Sequence, residues 1–267
     1  MSLLEKFAAW SIAGPAALLF IMQLAAHGIG YRVGRLKSSR QELPSDRIGV
    51  LVGALLGMLA FVLALTLNFA TSRFYELRQG TLAEANAIGT AALRAQAIGQ
   101  KEGEEIVQML EEYARLRRDF IAAPYGAPSL AAIDARTAAL QSAIWTDLGV
   151  IVRAQPNPVS TSLMNALNDV FDMTTAERFA YDLRIPAQIF WLLIVLTLVG
   201  SGTLGFQMAI KSRAPFGLSA LLMLAWTLVI LAILDMGSPR FGGIRTSVSA
   251  YDWTLEGIVS LQLNGSE

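Results

Sequence analysis

The most regular small-residue spacing in this sequence is Gly49, Gly53 and Gly57, one every four residues, continued by Ala60, Ala64 and Asn68. On a helix this spacing makes one narrow face about 28 Å long. Small residues at that interval let helices approach closely in a membrane. Around an oligomer axis the same face would instead leave a lumen open, with Asn68 forming a polar ring near its mouth. Periodicity does not choose between packing and pore wall. Acid–base or calcium chemistry would need converging carboxylates, and Glu104-Glu105 and Glu111-Glu112 are adjacent, so they point about 100° apart on a helix. Glu111 with Arg115, and Arg115 with Asp119, have the spacing of surface ion pairs. There is no Cys and one His, His27, which leaves no thiolate or multi-histidine metal centre and no cysteine nucleophile. No phosphate-binding loop is present either. The sequence therefore reads as a non-enzyme without cofactor or metal.

The elements that position these residues follow from composition. Of 267 residues 54% are hydrophobic and 16% charged, against roughly 25% charged in an ordinary soluble domain. Twenty-one basic and 21 acidic residues cancel, so nothing favours nucleic acid as a partner. Four stretches lack Asp, Glu, Lys and Arg: 7–31, 48–72, 185–210 and 214–234. Each is long enough to cross a bilayer as a helix. The apolar run of the first is longer than a signal peptide's and is read as a retained anchor.

The loop 32–47 holds Arg32, Arg35, Lys37, Arg40 and Arg47 against Glu42 and Asp46, and the turn 211–215 holds Lys211 and Arg213. The bias of Lys and Arg towards the cytoplasm puts both there. The expected topology is multi-pass, with both termini and the middle segment on the non-cytoplasmic side. Intramembrane polar groups are few. His27 stands close to the boundary at Tyr31 and Arg32, where an interfacial or hydrogen-bonded role is expected. No Asp, Glu, Lys or Arg lies at the centre of a crossing, which argues against a proton-coupled pump or voltage sensor.

The 112 residues from 73 to 184 carry 11 basic and 14 acidic residues, so they face water. Breaks at Gly99 to Gly103, Pro124 to Pro128 and Pro156 to Pro158 divide them into four helices near 73–98, 103–122, 129–153 and 159–184, with Ser129 and Ser160 as N-caps. The expected architecture is all-α. It has an N-terminal transmembrane hairpin (1–72) and an extramembrane antiparallel four-helix bundle (73–184) continuous with the second and third transmembrane helices. A C-terminal transmembrane hairpin (185–235) and a tail (236–267) follow. Pro186 stands where the bundle meets the third crossing. The tail is either loosely ordered or folded back through a salt bridge from Asp235 to Arg240 or Arg245.

Three stretches resemble the bestrophin-like membrane-protein family of bacteria. They are the second crossing running into Glu84-Ala85-Asn86-Ala87-Ile88-Gly89-Thr90-Ala91-Ala92-Leu93-Arg94-Ala95; Arg184-Ile185-Pro186 with Phe190-Trp191; and Asp235, Pro239, Gly243 and Ser247. The resemblance implies a four-crossing helical protein with an extramembrane bundle and, through the bestrophins, an oligomeric anion channel. The acidic calcium clasp and dense aromatic neck of a true bestrophin are missing. Asn86, five turns beyond Asn68, either packs in the bundle or extends the Asn68 face.

The expected function is thus a passive ion pathway, with anions preferred, lined by the second transmembrane helix of a homo-oligomer. Its partners are the bilayer, further copies of the chain and an inorganic ion. The alternative is a non-conducting sensor or scaffold whose bundle binds a partner.

Overall fold

The computed structural model describes residues 13–39, 45–124, 126–183, 186–210, 216–240 and 242–264. Among them are eight α-helices: α1 (Ala13–Ser38), α2 (Ser45–Gln96), α3 (Lys101–Ala122), α4 (Ser129–Ala154), α5 (Pro158–Asp182), α6 (Ala187–Ile210), α7 (Phe216–Met236) and α8 (Ser249–Asn264). No strand occurs among the described residues. Four of the helical segments are long and apolar enough to cross a membrane. Residues 7–12 of the first expected crossing, residues 40–44 of the first basic loop, the basic turn 211–215, and Arg184 with Ile185 lie outside the described residues.

The chain divides into two compact units. The first contains residues 1–73 and 184–244. Here α1 packs on α6 and α7, and α7 on α6. Its core gathers Leu19, Leu59, Leu63, Leu193, Trp226 and Ile230. The tightest approach is between α1 and α6. A Cβ placed on Gly30 would collide with the carbonyl of Gly202, one on Gly205 with the carbonyl of His27, and one on Gly34 would lie 2.7 Å from the Phe206 oxygen. Only hydrogen at these Cα atoms lets the two backbones meet. Hydroxyls in the spans return to their own helices, as in Thr66 to the Val62 carbonyl (2.7 Å) and Ser201 to the Thr197 carbonyl (2.7 Å). This satisfies them without water. His27 is buried, with Nε2 3.4 Å from Met208 Sδ and its ring edge-on to Phe216, which fits the hydrogen-bonded alternative.

The second unit contains residues 74–183 and 245–267. A bundle of four helices is too few for it, because α8 packs on α3 as a fifth and buries Tyr251 and Ile258. A reading of 236–267 as one tail misses this helix, since 16 residues with few charges resemble a polar tail until their partners are known. At the second crossing the helix runs on without a break, for α2 is one helix of 52 residues. Towards the third, α5 ends at Asp182 with Leu183 extended, and α6 begins at Ala187.

Gly99 takes φ of 63°, a left-handed turn that ends α2 before α3 begins. The cap of α5 is Asn157 and not Ser160. The Asn157 side chain accepts the N–H groups of Val159 and Ser160 at 2.9 Å, and Ser160 completes the reciprocal box by accepting the Asn157 N–H at 3.1 Å. At α4 the cap position is Pro128, with no side-chain cap, so Ser129 does not cap that helix.

Candidate pore face and buried ionic centre

On α2, the side opposite the core is open. Leu59, Leu63 and Ala70 are buried, while Gly53, Gly57, Ala60, Ala64 and Asn68 are exposed and Gly49 is half-buried. A Cβ on Gly53 or Gly57 would meet nothing within 4 Å. The face is flanked by exposed Met58, Phe61 and Leu65. Within one chain this stripe is therefore not a packing seam. Asn86, in the second unit, is likewise exposed.

The remaining predicted site residues lie at the end of α7 and in the chain that follows it. The Asp235 carboxylate accepts the backbone N–H of Ile244 at 3.1 Å and of Gly243 at 3.3 Å, so it pins the returning chain through main-chain bonds. Arg240, within that turn, is buried, and Arg245 just after it is exposed.

Inside the second unit lies a charged centre. Glu84 of α2 is fully buried. Arg117 of α3 donates from Nε to Glu84 Oε1 at 2.6 Å and from Nη2 to Oε2 at 3.3 Å. Thr174 of α5 donates to Oε1 at 2.7 Å, and the Tyr251 hydroxyl of α8 donates to Oε2 at 2.5 Å. Gln141 of α4 donates to the Tyr113 hydroxyl (2.9 Å), which donates in turn to Thr174 Oγ1 (2.6 Å). One carboxylate thus collects bonds from α3, α5 and α8 directly, and from α4 through Tyr113 and Thr174. The Arg117 guanidinium also lies 4.3 Å over the Phe120 ring.

Burial disfavours the charged form of Arg117, but the adjoining Glu84 carboxylate outweighs it and holds the guanidinium above its ordinary pKa. Burial pushes the Tyr113 phenol up to about 12, and raises Tyr251 for the same reason, with the Glu84 charge adding to it. These phenols therefore stay neutral donors. A second buried carboxylate, Glu177, accepts from Thr81 Oγ1 at 2.6 Å and fills the space beside Gly80. At the surface, Glu111 pairs with Arg115 as their spacing suggests (2.6 Å), whereas Asp119 neighbours Arg118 at 3.6 Å. No cluster of three or more metal-ligating side chains occurs among the described residues.

The Bestrophin-like domain model matches residues 19–251, most of the chain and both units. The chain belongs to the bestrophin-like family. Its fold is similar to that of a bacterial bestrophin homolog from Klebsiella pneumoniae, with a TM-score of 0.66 at 14% identity, over 92% of this chain and 96% of that one. A substituted form of that homolog gives 0.68 at 14% identity, covering 94% and 98%. A further crystal structure, of a membrane protein, gives 0.67 at 14% identity, again covering 94% and 98%. At such identities the likeness shows a shared fold. No curated protein sequence matches the chain.

Within this bestrophin-like fold, sequence reasoning misses the ionic centre, although its register carries a signal. Leu77, Thr81, Glu84, Ile88, Ala91 and Ala95 share one helical face, and so do Ile106, Leu110, Tyr113, Arg117 and Phe120. A charge within each apolar stripe points to an internal partner.

Proposed function

We propose that the protein assembles as a homo-oligomer whose α2 helices surround a passive ion pathway, with anions as the permeating species. The observation that carries this reading is the open small-residue face of α2, where Gly53 and Gly57 touch nothing in their own chain. Around an axis, Gly49, Gly53, Gly57, Ala60 and Ala64 leave room for an ion, and Asn68 offers amide donors. The flanking Met58, Phe61 and Leu65 supply the apolar area that neighbouring copies or lipid cover. The preference for anions rests on the family resemblance. Asn86, on the same helix, extends the wall. The Lys and Arg excess of 32–47 and 211–215 supports a cytoplasmic position for those segments in a bacterial inner membrane.

The test is flux in liposomes carrying purified protein, under chloride or potassium gradients, compared with empty vesicles and with Gly53→Leu. The reading expects chloride flux that Gly53→Leu abolishes while the oligomer stays intact. Absence of flux across varied pH, salt and voltage would reject it in favour of a sensor or scaffold.

A further inference from the structure

Arg94, near the end of α2, shares with Arg78 and Arg153 the lack of a carboxylate partner among the described residues, unlike most arginines of the second unit. Arg115, Arg117, Arg118 and Arg136 each pair with a carboxylate at 2.6 Å, and Arg178 does so at 3.2 Å. Arg94 Nη1 donates to the Ser162 carbonyl at 2.8 Å, which fixes the guanidinium at the edge of a shallow cavity of about 760 Å³ that is largely open to solvent. Val152, Pro156, Thr161, Ser162 and Asn165 also line the cavity, and none of its lining residues is acidic. That is unusual here, because residues 74–183 and 245–267 together carry 10 Lys plus Arg against 17 Asp plus Glu.

We propose that this cavity binds a small phosphorylated molecule, with the phosphate at Arg94. Guanidinium presents a planar fork of donors that matches a phosphate, and one bond to a carbonyl leaves most of that fork available. The Ser162 hydroxyl and the Asn165 amide add neutral donors, and Val152 and Pro156 give an apolar wall for the organic part. The N-terminus of α5 is not the recognition element, since Asn157 already takes the N–H groups of Val159 and Ser160. Binding at this cavity does not depend on whether the protein conducts.

The test is calorimetric titration of the full chain in phosphatidylcholine nanodiscs with glycerol phosphate, glycerol and inorganic phosphate. Glycerol phosphate is expected to bind saturably and glycerol not at all. Arg94→Gln should weaken binding at least tenfold. Asn165→Asp, an exposed change that keeps the Arg94 bond and adds a repelling charge, should do the same and decides the matter if Arg94→Gln does not fold. Loss of the heat in phosphatidylglycerol nanodiscs would assign the site to a lipid headgroup with the same chemistry. No saturable binding, or binding untouched by both substitutions, overturns the proposal.

Discussion

Two sets of glycines in the membrane unit do opposite things. Gly30 and Gly34 of α1 face Gly202 and Phe206 of α6 with no room for a Cβ, whereas Gly53 and Gly57 of α2 face empty space. The spacing of four residues is the same in α1 and α2. Glycine spacing therefore marks a smooth helix face, and only the partner decides whether smoothness makes a contact or a gap. The contrast recurs two residues apart on α2: Glu84 points inward to Arg117, and Asn86 is exposed.

The contrast breaks hardest at Glu84. Glu84→Ala leaves Arg117 buried without its counter-charge and should cost about 3–5 kcal/mol, while Asn86→Ala should change stability by no more than about 0.5 kcal/mol. Chemical denaturation followed by tryptophan fluorescence checks both, and similar losses would remove the distinction. Next in size is Gly30→Ala, where backbone opposes the new methyl: a loss of about 1–3 kcal/mol is expected. Thermal melting in detergent should show it, with Gly53→Ala melting like the parent. A parent-like Gly30→Ala would mean that α1 and α6 are not in tight contact.

A smaller effect concerns pH. The folded state keeps Tyr113 protonated to about 12, and it raises Tyr251 as well, while an unfolded chain releases such protons near about 10. The folded form thus holds more protons in that window. Stability is fully present below about 10 and falls as pH rises toward 12. Tyr113→Phe should flatten part of that fall in melts across the window. An equal slope in parent and variant would place the phenol in water.

Much of this arrangement is legible in the sequence. Charge-free runs overlap the four helical segments apolar enough to cross a membrane, because lipid tolerates few charges, although α1 runs on to Ser38 through Arg32, Arg35 and Lys37 of the expected loop; Gly and Pro punctuation sets the bounds of α3 and α4 to within about two residues. Less legible is whatever depends on a second element. The α8 helix reads as a polar tail until Tyr251 reaches Glu84 (2.5 Å), Asp252 meets Arg118 (2.6 Å) and Thr254 meets the Ala85 carbonyl (3.0 Å). The ionic centre is half-visible for the same reason. Helical register places Glu84 and Arg117 among apolar residues, but it does not say that they face each other. The approach of α1 to α6 depends on two backbones meeting, which no single-helix periodicity records.

If the open face of α2 lines a water-filled path, thiols placed on it must be reachable from water, and the absence of native cysteine makes their labelling specific. Gly57→Cys and Ala64→Cys on that face, and Leu65→Cys beside it, would each be treated with a charged, membrane-impermeant thiol reagent while chloride flux is recorded in liposomes. Rapid block is expected at positions 57 and 64, and little change at 65. Equal reactivity at all three positions, or modification at 57 and 64 without any effect on flux, would contradict it.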